Sequence, residues 1–192
     1  MANDILVGVG TQIRFCVSGS FSPADAGTNW TITGFTNAAL TLAGVVNGEG
    51  RQSDKIDLGE YRADSFEVLG CVDYTGETPT QDTYVDYYWL PSTSTTEANG
   101  NVLGNSGADA DAPGGAVGTP TIADMIQKAD YIGSLHIHDG GAVQNGFVGE
   151  FSPTSRYGQL LVVNNGGVAF EDDDVEMHQV MNPIVDQFQD AA

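Results

Sequence analysis

A chain of 192 residues, 41% of them apolar, is long enough for one domain with its own core, since a globule of this size buries about 70% of its unfolded surface. Six Lys plus Arg stand against 26 Asp plus Glu, a formal net charge of −20, and such a surface repels phosphate backbones and anionic lipid, which argues against nucleic-acid and membrane partners. The charge fits solubility in a salty medium, or an acidic face matched to a basic partner or to divalent cations.

Glycine is abundant, with 25 residues, and it is written into turns such as Asn47-Gly48, Gly140-Gly141 and Asn165-Gly166-Gly167. Many short apolar runs between turns predict a mainly β domain. Cys16 and Cys71 are too few for a disulfide framework and each lies in an apolar run, so both are expected as buried, reduced thiols. Residues 1–5 show no basic segment leading into a long apolar core, so no secretory signal is expected. No window approaches 18 apolar residues, so no spanning helix is expected. Asn29-Trp30-Thr31 spells a glycosylation sequon, read as chance without a secretory route.

In chain order, residues 5–9 and 11–17 read as strands, the second with Ile13, Phe15 and Val17 on one face. Residues 29–35 alternate again. Residues 38–46, apolar on both sides, suit a buried strand or a short helix; Thr41, Val45 and Val46 favour the strand. Residues 48–59 read as a polar connection. Residues 61–72 follow, with Phe66, Val68, Gly70 and Val72 on one face. A dense strand signal at 83–90 is stopped by Pro91. Residues 92–118 hold almost no large apolar side chain except Val102, Leu103 and Val117. A segment this long and polar is either a disordered loop or a partner-contacting surface arm, and the arm is the reading carried forward. Residues 119–130 carry the helix signal: Thr119 as cap, Pro120 at the first position, then Ile122, Met125, Ile126 and Ala129 as one apolar stripe. Strands are expected again at 131–138, 142–151, 159–163, 168–170 and 174–181, the last stopped by Asn182-Pro183, with a short tail helix or trailing segment at 184–188. Leu160-Leu161-Val162-Val163 is apolar on both faces, as in a central strand covered on each side. The prediction is a single domain over residues 1–192, mainly β, a β-sandwich or jelly-roll-like body with one short helix and a long surface arm.

His136-Ile137-His138 puts two imidazoles on one strand face, roughly 6.5–7 Å apart. That spacing allows two ligands on one metal, completed by Asp139, His178 or the 171–174 acidic run. His136, His138 and His178 are therefore the candidate metal ligands, against the plainer reading of an exposed strand face with Leu135 and Ile137 packed inward. The 171–174 run and Asp109-Ala110-Asp111 resemble loose Ca²⁺ loops without the spacing of a dedicated one. Nucleophile elbow, phosphate loop and dinucleotide fingerprint are missing from the sequence, so no catalytic residue and no cofactor are expected. Tyr84, Tyr87, Tyr88 and Trp89 read as an aromatic core strand or as a sugar-stacking platform.

Five stretches carry a resemblance. They are Tyr88-Trp89-Leu90-Pro91-Ser92, Asn105-Ser106-Gly107-Ala108-Asp109-Ala110, and the segment from Ile122-Ala123-Asp124 to Tyr131-Ile132-Gly133-Ser134. Ser155-Arg156-Tyr157-Gly158-Gln159-Leu160-Leu161-Val162-Val163-Asn164 and Glu176-Met177-His178 through Pro183-Ile184-Val185-Asp186 complete the set. Over roughly residues 87–188 the chain resembles small virion structural proteins of tailed bacteriophages. The resemblance implies a non-enzymatic assembly protein in the virion, put together in the host cytoplasm. It would be a homo-oligomer bound to phage capsid or tail proteins, first of all as capsid decoration. A tail or baseplate module recognising carbohydrate is the alternative it leaves, and a metal-assisted enzyme using His136, His138 and His178 is the third class.

Overall fold

Alternating apolar and polar side chains build two facing sheets. In the computed structural model, which describes residues 10–17, 30, 34–60, 63–115, 118–138, 140–173 and 176–184, the strands of the first sheet are β1 (Ile13–Cys16), β2 (Thr36–Ala39), β5 (Ser65–Asp73), β9 (Val143–Phe151) and β11 (His178–Ile184). Those of the second are β3 (Gly50–Gln52), β4 (Ile56–Asp57), β6 (Tyr84–Ser92), β7 (Ala110–Asp111), β8 (Asp130–His136) and β10 (Tyr157–Asn165), and the one α-helix among the described residues, α1, is Ile122–Ile126. The first sheet runs β2-β1-β11-β5-β9 and the second β7-β3-β10-β6-β8, with β4 also on β10. Every pairing is antiparallel except β1 with β2. Without the short strands β2, β4 and β7, eight strands remain, ordered β1-β11-β5-β9 and β3-β10-β6-β8. That is the double Greek key of a jelly roll, so the mainly β sandwich read from the sequence is the fold.

The inner faces meet in one core, where Phe15, Phe66, Val68, Val72 and Met181 of the first sheet join Val85, Tyr87, Trp89, Leu160 and Val162 of the second. A smaller core lies on the outside of the second sheet, made of Leu90, Ala112, Met125, Leu161 and Val163, with Tyr88, Val102, Leu103, Ile122, Ile126 and Ala129 against it. β10 is thus covered on both sides, as its unbroken Leu160-to-Val163 run requires.

At one flank the sheets almost touch. A Cβ on Gly133 of β8 would lie 2.2 Å from the Val148 carbonyl oxygen, and one on Gly149 of β9 would lie 2.4 Å from that of Ile132. Two backbones cross there with no room for a methyl group.

Several boundaries differ from expectation for local reasons. The helix is capped at Thr121 rather than Thr119, because Thr121 and Asp124 form a reciprocal capping box in the Thr-x-x-acid spacing. It ends at Ile126, and two turn hydrogen bonds, Lys128 N–H to Met125 O and Ala129 N–H to Ile126 O, lead into β8. The apolar stripe still faces the sheet, with Met125 fully buried. Pro91 and Pro183 do not stop their strands. β6 continues to Ser92 after β8 leaves it at Trp89, and β11 continues to Ile184 after β1 leaves it at Met181; a strand with one open side has no need of the proline N–H there.

The expected strand over 38–46 ends at Ala39, and the chain then turns with Leu40, Leu42 and Val45 buried. No strand forms at 168–170; Phe170 N–H instead donates to Val45 O. The supposed polar connection at 48–59 contains β3 and β4, which pairing rather than composition creates. The strand expected at 5–9, most of that at 29–35 and the tail at 185–188 lie outside the described residues.

Cys16 and Cys71 both sit opposite His178, on the two strands flanking β11. Two strand spacings, about 10 Å between Cα atoms, exceed the reach of a disulfide. Both side chains are buried thiols, and burial pushes that of Cys71 up to about 12.

Of the 92–118 segment, expected as an arm reaching a neighbour, residues 92–115 are laid over the protein's own second sheet. Lys55 Nζ donates to the carbonyls of Ser94, Thr96 and Asn99 at 3.2, 2.7 and 2.8 Å. Gln52 Nε2 donates to Ala108 O at 3.0 Å, and Arg51 pairs with Asp109 and Asp111, at 2.7 Å each. Polar partners in the same chain, together with Val102 and Leu103 on the outer core, supply what the composition lacks. Lys55→Met removes three charge-assisted bonds, and the expected cost is about 1–2 kcal/mol, felt locally. Limited proteolysis should cut near residues 93–101 faster, while amide protection in β5, β6 and β10 stays as in the parent. Equal loss of protection throughout would show that this layer is not a separate unit.

Candidate functional site

The three histidines are not brought together. His136 ends β8 on the outer face, its ring 5.3 Å from that of Tyr84 and its Nε2 3.5 Å from Asp82 Oδ1. His138 is exposed beyond the strand. His178 is buried in the first sheet, with Nδ1 2.9 Å from Glu176 O and its ring 5.0 Å from Trp30. Burial pushes the His178 imidazole below its usual range, so it stays neutral near pH 7. Asp139 lies outside the described residues. Ile137 packs inward as expected, fully buried.

Among the described residues, the one set of three converging donors is Asp73, Glu171 and Glu176, whose ligand atoms lie within 4.8 Å of one another. The backbone assembles it: Glu171 N–H donates to Asp73 O at 2.9 Å, joining the end of β5 to the 171–174 run. Asp73 is buried and its Oδ1 accepts from Thr75 N–H and Oγ1, each at 2.8 Å. Asp172 and Asp173 are exposed and outside the set, and Asp174 is not among the described residues. Only oxygen ligands are present, which is the chemistry of a hard cation rather than of zinc.

Burial raises the Glu171 carboxyl, and the charges of Asp73, Asp173 and Asp172 add to the rise. A carboxyl raised on folding contributes stability that is present below its ordinary range near pH 4.5 and lost as pH climbs through the folded value. Glu171→Gln is therefore expected to stabilise the protein at pH 7, by no more than a few tenths of a kcal/mol because solvent screens this partly exposed group, and to have no effect at pH 3. Equal melting temperatures for the two proteins at pH 7 would remove the repulsion argument.

Asp109 and Asp111, the other acidic pair, do not form a cation loop. Arg51 takes both, and Thr41 Oγ1 donates to Asp109 Oδ2 at 2.6 Å.

The aromatic strand divides. Tyr87 and Trp89 are core, both fully buried, and the Tyr87 hydroxyl donates to Gln179 Oε1 at 2.8 Å. Tyr84 and Tyr88 face outward. They lie opposite His136 and Tyr131, and between these pairs Asp86 faces Ser134. Tyr131 was missed in the sequence because a register shift after Tyr87 breaks the simple alternation. Asp73 and Glu176 were missed because only tertiary pairing brings them to Glu171. No described helix is long and apolar enough to cross a membrane. Compared with known proteins, the chain matches no family model, no curated sequence and no solved structure.

Proposed function

We propose that this protein is a structural component of a tailed-bacteriophage virion, a decoration protein that stabilises the shell through lattice contacts. The observation that supports it most is where the resembling stretches lie. Tyr88, Leu90, Ile122, Met125, Leu161 and Val163, from three separate stretches, meet in the one outer core of the second sheet. The 105–110 stretch is anchored to the same sheet through Gln52 and Arg51. A shared pattern that packs into a single unit is what a common fold would leave in the sequence. The jelly roll presents broad sheet faces, and an acidic exterior suits attachment to a basic lattice.

On this reading the protein stabilises the expanded shell by binding contacts that exist only in that state. The test is co-sedimentation of the purified protein with expanded and unexpanded shells of the phage that encodes it. Binding to expanded shells alone, with a higher temperature of shell disruption, is the expected result. A protein absent from assembled particles, or one that turns over a substrate as a freely diffusing catalyst, would overturn it.

A further inference from the structure

The outer face of β6 and β8 is only partly covered. Opposed residues share a sheet face, so the register sets out three rows: Asn165, Tyr84 and His136; Val163, Asp86 and Ser134; Leu161, Tyr88 and Tyr131. The outer core shields Leu161 and Val163, while Tyr84 is 47% exposed and Tyr131 57%. Large aromatic side chains left in water on one face mark a contact surface.

That face is also ordered. The Tyr131 hydroxyl and Ser134 Oγ are hydrogen-bonded, Ser134 Oγ donates to Asp86 Oδ1, and Asn165 Nδ2 donates to Asp86 Oδ2 at 2.8 Å. Asp86 and the Tyr131 ring are therefore held in place before any partner arrives.

Apart from the His136 imidazole, whose Nε2 is 3.5 Å from Asp82 Oδ1, the carboxylates of this face have no basic partner among the described residues. Arg51 is taken by Asp109 and Asp111, Arg156 by Asp57, and Lys55 by the carbonyls of the 94–99 turn. Arg14 lies over Phe35. Among the described residues no Lys or Arg pairs with Asp82 or Asp86 or stacks on Tyr84 or Tyr131. Carboxylates beside exposed ring faces, with no Lys or Arg of their own among the described residues, complement a cation from elsewhere.

Ring geometry separates the possible partners. Tyr84 and His136 are inclined at 52°, and Tyr88 and Tyr131 at 58°. Inclined pairs make two notches rather than the flat platform that stacks a sugar. The notches are four residues apart along β6, about 13 Å, which is also the span from residue i to i+4 of an extended chain.

We propose that this face, from Asp82 and Tyr84 to Tyr88 and Tyr131, binds an extended basic segment of a partner protein, with one Arg or Lys side chain in each notch. The proposal takes from the decoration reading only that the partner is a protein.

The test uses the purified full chain and the peptide Gly-Ser-Arg-Gly-Ser-Gly-Arg-Ser-Gly, followed by NMR chemical-shift perturbation. Perturbations confined to β6 and β8 are expected. Tyr131→Ala should weaken binding about two- to fivefold, and salt raised to about 0.5 M should suppress it. Asp82→Asn, at an exposed side chain outside the Asp86 network, should also weaken binding and keeps the test independent of any folding defect at Asp86. No perturbation, perturbation unchanged in Tyr131→Ala and Asp82→Asn, or the same face responding to a neutral oligosaccharide and not to the peptide would each overturn the proposal. Because the peptide assay needs no shell, a failure there leaves the decoration reading standing. A protein that binds the peptide but no shell would overturn only the decoration reading.

Discussion

Gly133→Ala is expected to lower stability by about 3 kcal/mol, which is about 6–12 °C in melting temperature for a domain of this length. The new methyl would meet the Val148 carbonyl oxygen at 2.2 Å. The obstacle is backbone, not the flexible end of a side chain, so relief requires moving β9 away from β8. Gly149→Ala should cost a similar amount, since its methyl would meet the Ile132 carbonyl oxygen at 2.4 Å. Both act on one crossing, so the double variant should lose less than the sum of the two. Gly140→Ala is the control: its nearest neighbour is Thr78 Cγ2 at 3.4 Å, and its effect should stay within about 0.5 kcal/mol. A melting temperature for Gly133→Ala equal to that of Gly140→Ala would mean the two strands do not cross this closely.

The second large effect sits in the main core. Trp89 is fully buried, with its ring 5.9 Å from that of Phe151, and Trp89→Ala should cost about 3–5 kcal/mol. Gly158, diagonally across on β10, leaves the space that the indole occupies: a methyl there would lie 2.4 Å from both Cε2 and Cζ2. Gly158→Ala should cost about 2–3 kcal/mol on its own. Combined with Trp89→Ala, which removes the obstructing ring, it should cost at least about 1 kcal/mol less than the two separate losses added together. Part of the penalty persists, because Leu90 O also lies 2.7 Å from the added methyl. Strict additivity in denaturant unfolding would show that Gly158 and the indole do not share that space.

Much of the fold was legible because its signals are local. Alternation in β5 and the two-sided apolar run of β10 give faces and burial directly. Strand ends were less so, because Pro91 and Pro183 sit where a neighbouring strand has already stopped, and composition carries no record of that. β3 and β4 are polar strands created by pairing with β10. The 92–115 layer looked unable to order itself because its anchors, Lys55 and Arg51, lie elsewhere in the chain. The candidate site was harder still. The His136/His138 pair is a feature of spacing alone, whereas Asp73, Glu171 and Glu176 meet only after two loops are joined. Tyr131 reaches the outer face through a register shift that strict alternation hides.

The crossing of β8 and β9 also gives the molecule a handed exterior. One flank is closed by its own backbone at Gly133 and Gly149, so among the described strands the open edges lie on the opposite flank, where β2 has four residues and β7 two. Edges that short pair poorly with an incoming strand. At a high local concentration of copies, growth into fibrils by edge pairing is thereby disfavoured, and association falls to side chains on the sheet faces.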